Sequence, residues 1–133
     1  MRLRASHCGC SARLRSVARQ SVEIGQDARR FPQTIEQYRL DIEKTIAPAI
    51  GNLRIRECTT SRIDRHVKSI ATQHPAKARR IKVDLAGILG IAVRHDAPPT
   101  NPVREIATIP GSKKNVRAIG LDELRALRER IRL

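Results

Sequence analysis

The sequence predicts an all-α fold, a bundle of about four helices. Two observations point there. Apolar residues recur at steps of three and four in three successive segments and again at the C-terminus, and proline or glycine punctuates the gaps between them.

The first predicted helix runs from about Ile35 to Ala47. Thr34 and Gln37 have the spacing of a capping box at its start, and Ile35, Tyr38, Ile42 and Ile46 fall in one narrow arc at 100° per residue. Pro48 and Gly51 should stop it, the proline by disfavouring helical geometry before it and the glycine by taking a left-handed turn. A short extended connector, 52–58, leads to Thr59-Thr60-Ser61, a run of good N-cap residues. The second helix follows to about Thr72, with Ile63, Val67 and Ile70 as its stripe and Arg62, Arg65 and Lys68 spread over the opposite side. His74-Pro75 opens the third, from about Ala76 to His95. Its stripe of Ala78, Ile81, Leu85, Ile88, Leu89 and Ala92 is the longest in the chain, and Arg79, Arg80 and Arg94 lie on the far side with Gly87 and Gly90. Two glycines in a helix interior cost about 1 kcal/mol each relative to alanine, so either another backbone approaches closely there or the helix is weaker or bent.

Residues 97–102, Ala-Pro-Pro-Thr-Asn-Pro, cannot continue a helix. Residues 103–117 read as a linker ending in the cationic run Lys113-Lys114-Asn115-Val116-Arg117. A last helical pattern, Leu121, Leu124, Leu127 and Ile131, follows without a partner after it. Residues 1–30 hold seven arginines and two acids with no sustained apolar face, and read as a disordered basic arm. Their Arg-rich, acid-poor start also has the look of an organellar transit peptide. The resulting division is 1–30 arm, 31–102 helical domain, 103–117 linker and 118–133 start of a further unit.

Lysine and arginine total 27 against 13 acidic residues, a formal net charge of +14. That balance points to a polyanionic partner, with nucleic acid first and a membrane surface second. No stretch approaches the roughly 18 consecutive apolar residues of a membrane-spanning helix, so no membrane partner is expected. One Phe, one Tyr and no Trp leave few stacking platforms for single strands, which favours double-stranded DNA gripped by its phosphates. Three cysteines, Cys8, Cys10 and Cys58, make no disulfide framework and suit a reducing, cytoplasmic setting on the nucleoid. His7-Cys8-Gly9-Cys10 offers soft ligands without a further pair at zinc spacing, so neither a metal nor any other cofactor is expected.

Several stretches, in order, resemble the N-terminal core-binding domain of tyrosine recombinases, the phage-integrase family. They are Thr34-Ile35-Glu36-Gln37-Tyr38, then Ile46-Ala47-Pro48-Ala49-Ile50-Gly51-Asn52-Leu53, then Thr59-Thr60-Ser61-Arg62-Ile63-Asp64, then Ala92-Val93-Arg94-His95 leading to Asn101-Pro102. The resemblance covers roughly residues 32 to 132 and implies a SAM-like helical bundle that forms one half of a clamp around duplex DNA. It implies that Asn101-Pro102 marks the exit to the interdomain linker and that Ile119 to Leu133 begins a catalytic domain. The family's tyrosine nucleophile and its assisting arginines, lysine and histidine would follow residue 133. The chain is therefore expected to hold DNA and to lack the chemistry. Gly120 also departs from the family, standing where a Ser or Thr cap is usual.

The DNA-contacting residues expected are Arg62, Arg65 and Lys68 on the second helix and Lys77, Arg79, Arg80 and Lys82 at the start of the third; the alternative is a solvated cationic face. Tyr38, the only tyrosine, reads as a core aromatic, and the histidines show no spacing for a catalytic pair. Three other readings compete: an interaction protein docking its last helix on an intact recombinase or a separate catalytic chain, a helix-turn-helix regulator, and a remnant of a prophage-like element.

Overall fold

Leu14, Val17, Ala18 and Ser21 are buried along one side of a helix that stands where the sequence predicts a disordered arm. The computed structural model describes residues 11–27, 31–111 and 116–132. The arm expectation fails for Leu14–Asp27, α1, because that i, i+3, i+4, i+7 stripe is covered by the rest of the chain. The start of α1 is satisfied by distant backbone. Leu14 N–H donates to Leu53 O at 2.8 Å and Arg15 N–H to Gly51 O at 3.0 Å, while Ile55 N–H donates back to Ala12 O at 2.9 Å.

Helix α2, Pro32–Asp41, starts earlier than the sequence suggests and without the Thr34–Gln37 box. Pro32 has the fixed φ of a first helical residue, and Phe31 O takes the N–H groups of Thr34 and Ile35. Gln37 turns instead to Asp41 Oδ1, 3.2 Å away. Beyond α2 the chain widens into a π turn, Ile42–Ile46, then continues as α3, Ala47–Ile50. Pro48 does not stop the helix as expected. It has no N–H to give and its ring crowds the carbonyl one turn back, and the wider turn before it, closed by Ala47 N–H on Ile42 O, accommodates both. Gly51 is right-handed (φ −62°), not left-handed. Its need for glycine is steric, since a Cβ there would sit 2.6 Å from Ala47 O.

Helices α4, Thr60–Ala71, and α5, Pro75–Arg94, agree closely with the pattern reading. Every residue of the α5 stripe is buried, and Ile63 and Val67 of α4 pack against it. The left-handed residue is Asp96 (φ 57°), just past α5. Ala97 N–H returns to Ala92 O and Asp96 N–H to Val93 O, both at 3.0 Å, a Schellman closure with aspartate in the seat glycine usually takes. Gly87 and Gly90 meet no other backbone. Cβ atoms there would find only the Tyr38 hydroxyl and the Asn101 amide, each at 3.8 Å.

Asn101 pins the segment after α5. Its Nδ2 donates to Ala86 O at 2.9 Å and its Oδ1 accepts from Val103 N–H at 3.1 Å, opening the 3₁₀ turn Pro102–Glu105. Val103 and Ile106 are buried and Ile109 packs beside them. Residues 103–109 are therefore a strap across α4 and α5, not a free linker, because apolar side chains every third residue anchor them. Lys113, Lys114 and Asn115 of the expected cationic run lie outside the described residues. The last helix, α6, Leu121–Ile131, buries none of its residues.

Candidate nucleic-acid interface

On α4, Ile63 and Val67 turn inward, and the opposite side is built from cations and hydroxyls. At 100° per residue Ser61, Arg62, Arg65, Lys68, Ser69 and Thr72 all lie within about 60° of the point opposite the buried stripe. Arg62, Arg65 and Lys68 are exposed. Asp64, the one carboxylate of this helix, is 2.6 Å from Lys68 Nζ. Ser69 and Thr72 donate to the carbonyls of His66 and Lys68 at 2.7 and 3.1 Å, leaving their oxygens able to accept.

The start of α4 strengthens this cationic face. No side chain caps it, so the positive end of the helix dipole is not offset by a capping oxygen. Glu57 stands just before it, and its carboxyl is held below the usual carboxylate range, chiefly by the Arg54 N–H that donates to Oε2 at 2.9 Å. The guanidinium groups of Arg54, Arg56 and Arg62 act in the same direction. Arg54 and Arg56 escaped the sequence reading. Their signal is the pair of arginines at alternate positions, 54 and 56, of the connector.

The α5 residues do not form the patch that their crowding in sequence suggests, because a helix distributes neighbours around its axis. Arg80 turns toward α2, where Nε and Nη2 meet Asp41 Oδ2 and Oδ1 at 2.5 and 3.0 Å. Lys82 Nζ donates to Ile106 O at 2.9 Å and Ala107 O at 3.3 Å, tying down the strap. Lys77 is half-buried. Arg79 is exposed and reaches over Gly111, where a Cβ would lie 2.8 Å from its Nη1. Of the seven expected contact residues, the structure brings Arg62, Arg65 and Lys68 onto one side of α4, Lys68 paired there with Asp64, and gives Arg80 and Lys82 partners on other elements.

Elsewhere the charges are mixed. A cavity of about 530 Å³ between α1 and α2 is lined by Arg15, Arg19 and Arg39 but also by Glu23 and Glu43. Tyr38 is half-buried, its hydroxyl 2.8 Å from Ser21 Oγ on α1. His7, Cys8 and Cys10 lie outside the described residues, and among the described residues no three His, Cys, Asp or Glu side chains gather as metal ligands. No described helix is long and apolar enough to cross a membrane.

The family profile of the phage integrase central domain matches residues 14–108, from the start of α1 into the strap. The chain belongs to the phage integrase central-domain family. Comparisons with curated proteins and with solved structures gave no match. In this integrase domain the match holds the buried core from Leu14 to Ile106: α1 enters it at its first residue, and Val103 and Ile106 fall inside it.

Proposed function

We propose that this integrase domain holds duplex DNA by its phosphates through α4 and takes no part in strand cleavage by itself. The observation that carries the reading is the outward face of α4, with Arg62, Arg65 and Lys68 among three hydroxyl side chains and its only carboxylate already paired. Arg54, Arg56 and Arg79 are further exposed cations that the same DNA could use, whereas Arg80 and Lys82 already have partners on other elements. Ser61, Ser69 and Thr72 add neutral donors and acceptors that suit phosphate oxygens. The one tyrosine is bonded within the bundle, which supports a DNA-holding rather than a strand-cleaving role.

Each phosphate neutralised releases condensed counterions, so log K falls with log salt by about 0.9 per contact. Fluorescence anisotropy of a labelled duplex of about 30 base pairs, titrated with the full chain at several salt concentrations, tests this. Replacing Arg62, Arg65 and Lys68 together by alanine should weaken binding and reduce the slope by about 3. An unchanged slope in the triple variant would remove α4 from the interface. Absence of low-salt binding by a chain shown folded by circular dichroism would reject DNA holding altogether. It would favour a second reading, motivated by the exposed Leu121, Leu124, Leu127 and Ile131 of α6, in which that helix docks on an intact recombinase or a separate catalytic chain.

A further inference from the structure

The junction of α2 with α5 holds two carboxyl groups and one guanidinium. Asp41, the last residue of α2 before the π turn, is 3 % exposed and well supplied: Oδ1 accepts from Gln37 and from Arg80 Nη2, and Oδ2 from Arg80 Nε. Asp84 follows Arg80 by one turn of α5 and is half-buried. Its Oδ2 is shut off from solvent and finds no hydrogen-bond donor. The Asp84 carboxyl lies within hydrogen-bonding reach of that of Asp41. Both line a cavity of about 500 Å³ to which, among the described residues, α1 brings Gly25, α2 brings Tyr38 and Asp41, and α5 brings Arg80 and Asp84.

Two ionised carboxylates cannot hydrogen-bond to each other, whereas a carboxyl and a carboxylate can. Arg80 gives two of its N–H groups to Asp41 and none to Asp84, so among the described residues a charge on Asp84 Oδ2 has no hydrogen-bond donor. The geometry points to a proton-locked clasp: Asp41 and Asp84 share one proton across the α2–α5 junction, Arg80 balances the remaining charge, and loss of the proton loosens the junction at the mouth of the π turn. The clasp also accounts for Arg80 turning inward, away from the outer face of α5.

Burial raises the Asp84 carboxyl to about 7, with the Asp41 charge and the hydrogen bond between the two adding to the effect and Arg80 opposing it. The folded state thus keeps a proton that the unfolded chain gives up near pH 4. The stability this contributes is complete below that value and is lost as pH rises through about 7.

Urea unfolding of the full chain and of Asp84→Asn, at pH 6 and pH 8, tests the clasp independently of DNA binding. Asparagine keeps the size and cannot ionise. The ratio of the wild-type unfolding constant to that of the variant should rise about tenfold between the two pH values. Taking the ratio cancels His66 and Cys58, which titrate in both chains. A ratio constant within about twofold would overturn the clasp. If Asp84→Asn does not fold, the carboxyl ¹³C shift of Asp84 in the wild type decides: a midpoint near 7 supports the shared proton, and one near 4 rejects it.

Discussion

An arginine whose guanidinium is spent on a buried carboxylate has little to offer a phosphate. Arg80 is in that position: Asp41 beside it is 5 % exposed at the side chain and takes two of its N–H groups. Removing Arg80 strands a buried carboxylate. Arg80→Ala should therefore destabilise the fold by about 3 kcal/mol, at the low end for a broken buried pair because the arginine itself is half-exposed. Arg65→Ala, on the open face of α4, should shift stability by no more than about 0.5 kcal/mol and lower the salt slope of DNA binding by about 1. Urea denaturation with anisotropy separates the two, and an Arg80→Ala chain as stable as wild type would sink the distinction. The cations themselves were visible in the sequence. Which were already engaged was not, because Asp41 lies 39 positions from Arg80 and the strap carbonyls 24 and 25 from Lys82, and no local pattern reports such pairings. Asn101 is similar: a turn residue in the sequence, it holds both α5 and the 3₁₀ turn in the structure.

Helices α4 and α5 were legible because each carries a long stripe of large aliphatic residues that only a helix places on one face, and the limits of α5 agree to within a residue. The exposed Leu/Ile stripe of α6 was legible on the same grounds. α1 was not. Its stripe of Leu14, Val17, Ala18 and Ser21 is small, arginines surround it, and its start is satisfied by carbonyls of residues 51 and 53 rather than by a cap of its own. Helix propensity alone would leave such a segment marginal, and packing supplies what the local sequence lacks. Leu14, with no exposed surface, measures the difference. Leu14→Ala should cost about 2–5 kcal/mol of unfolding free energy, whereas truncating a side chain in a disordered arm would cost nothing. An unchanged urea midpoint would return α1 to the status of an arm. The π turn before Pro48 was likewise beyond local reading, since the proline pattern alone signals a stop and only the packed helix shows how the chain passes it.

Across the whole molecule, two half-buried groups among the described residues, His66 and Asp84, titrate in opposite senses near neutral pH. Burial lowers the pKa of His66, whose Nε2 is enclosed without a partner, so the folded state resists the proton that the unfolded chain accepts near pH 6.5. That stability is present above pH 6.5 and is lost as the pH falls below it. Asp84 works the other way, losing stability as pH rises from about 4 through about 7. Just below pH 6.5 the two slopes oppose each other, since each amounts to at most one proton. Above 6.5 only Asp84 remains, until the buried Cys58 thiol, pushed up to about 11 from 9.0, adds a further loss at alkaline pH. The wild-type urea midpoint should thus change less with pH just below 6.5 than it would without His66, and decline from 6.5 to pH 8. His66→Gln deletes the limb that rises with pH and exposes the opposing one, so its midpoint should fall steadily from pH 5 to 8. A His66→Gln profile parallel to wild type below pH 6.5 would show that the imidazole is not excluded from protonation by the fold.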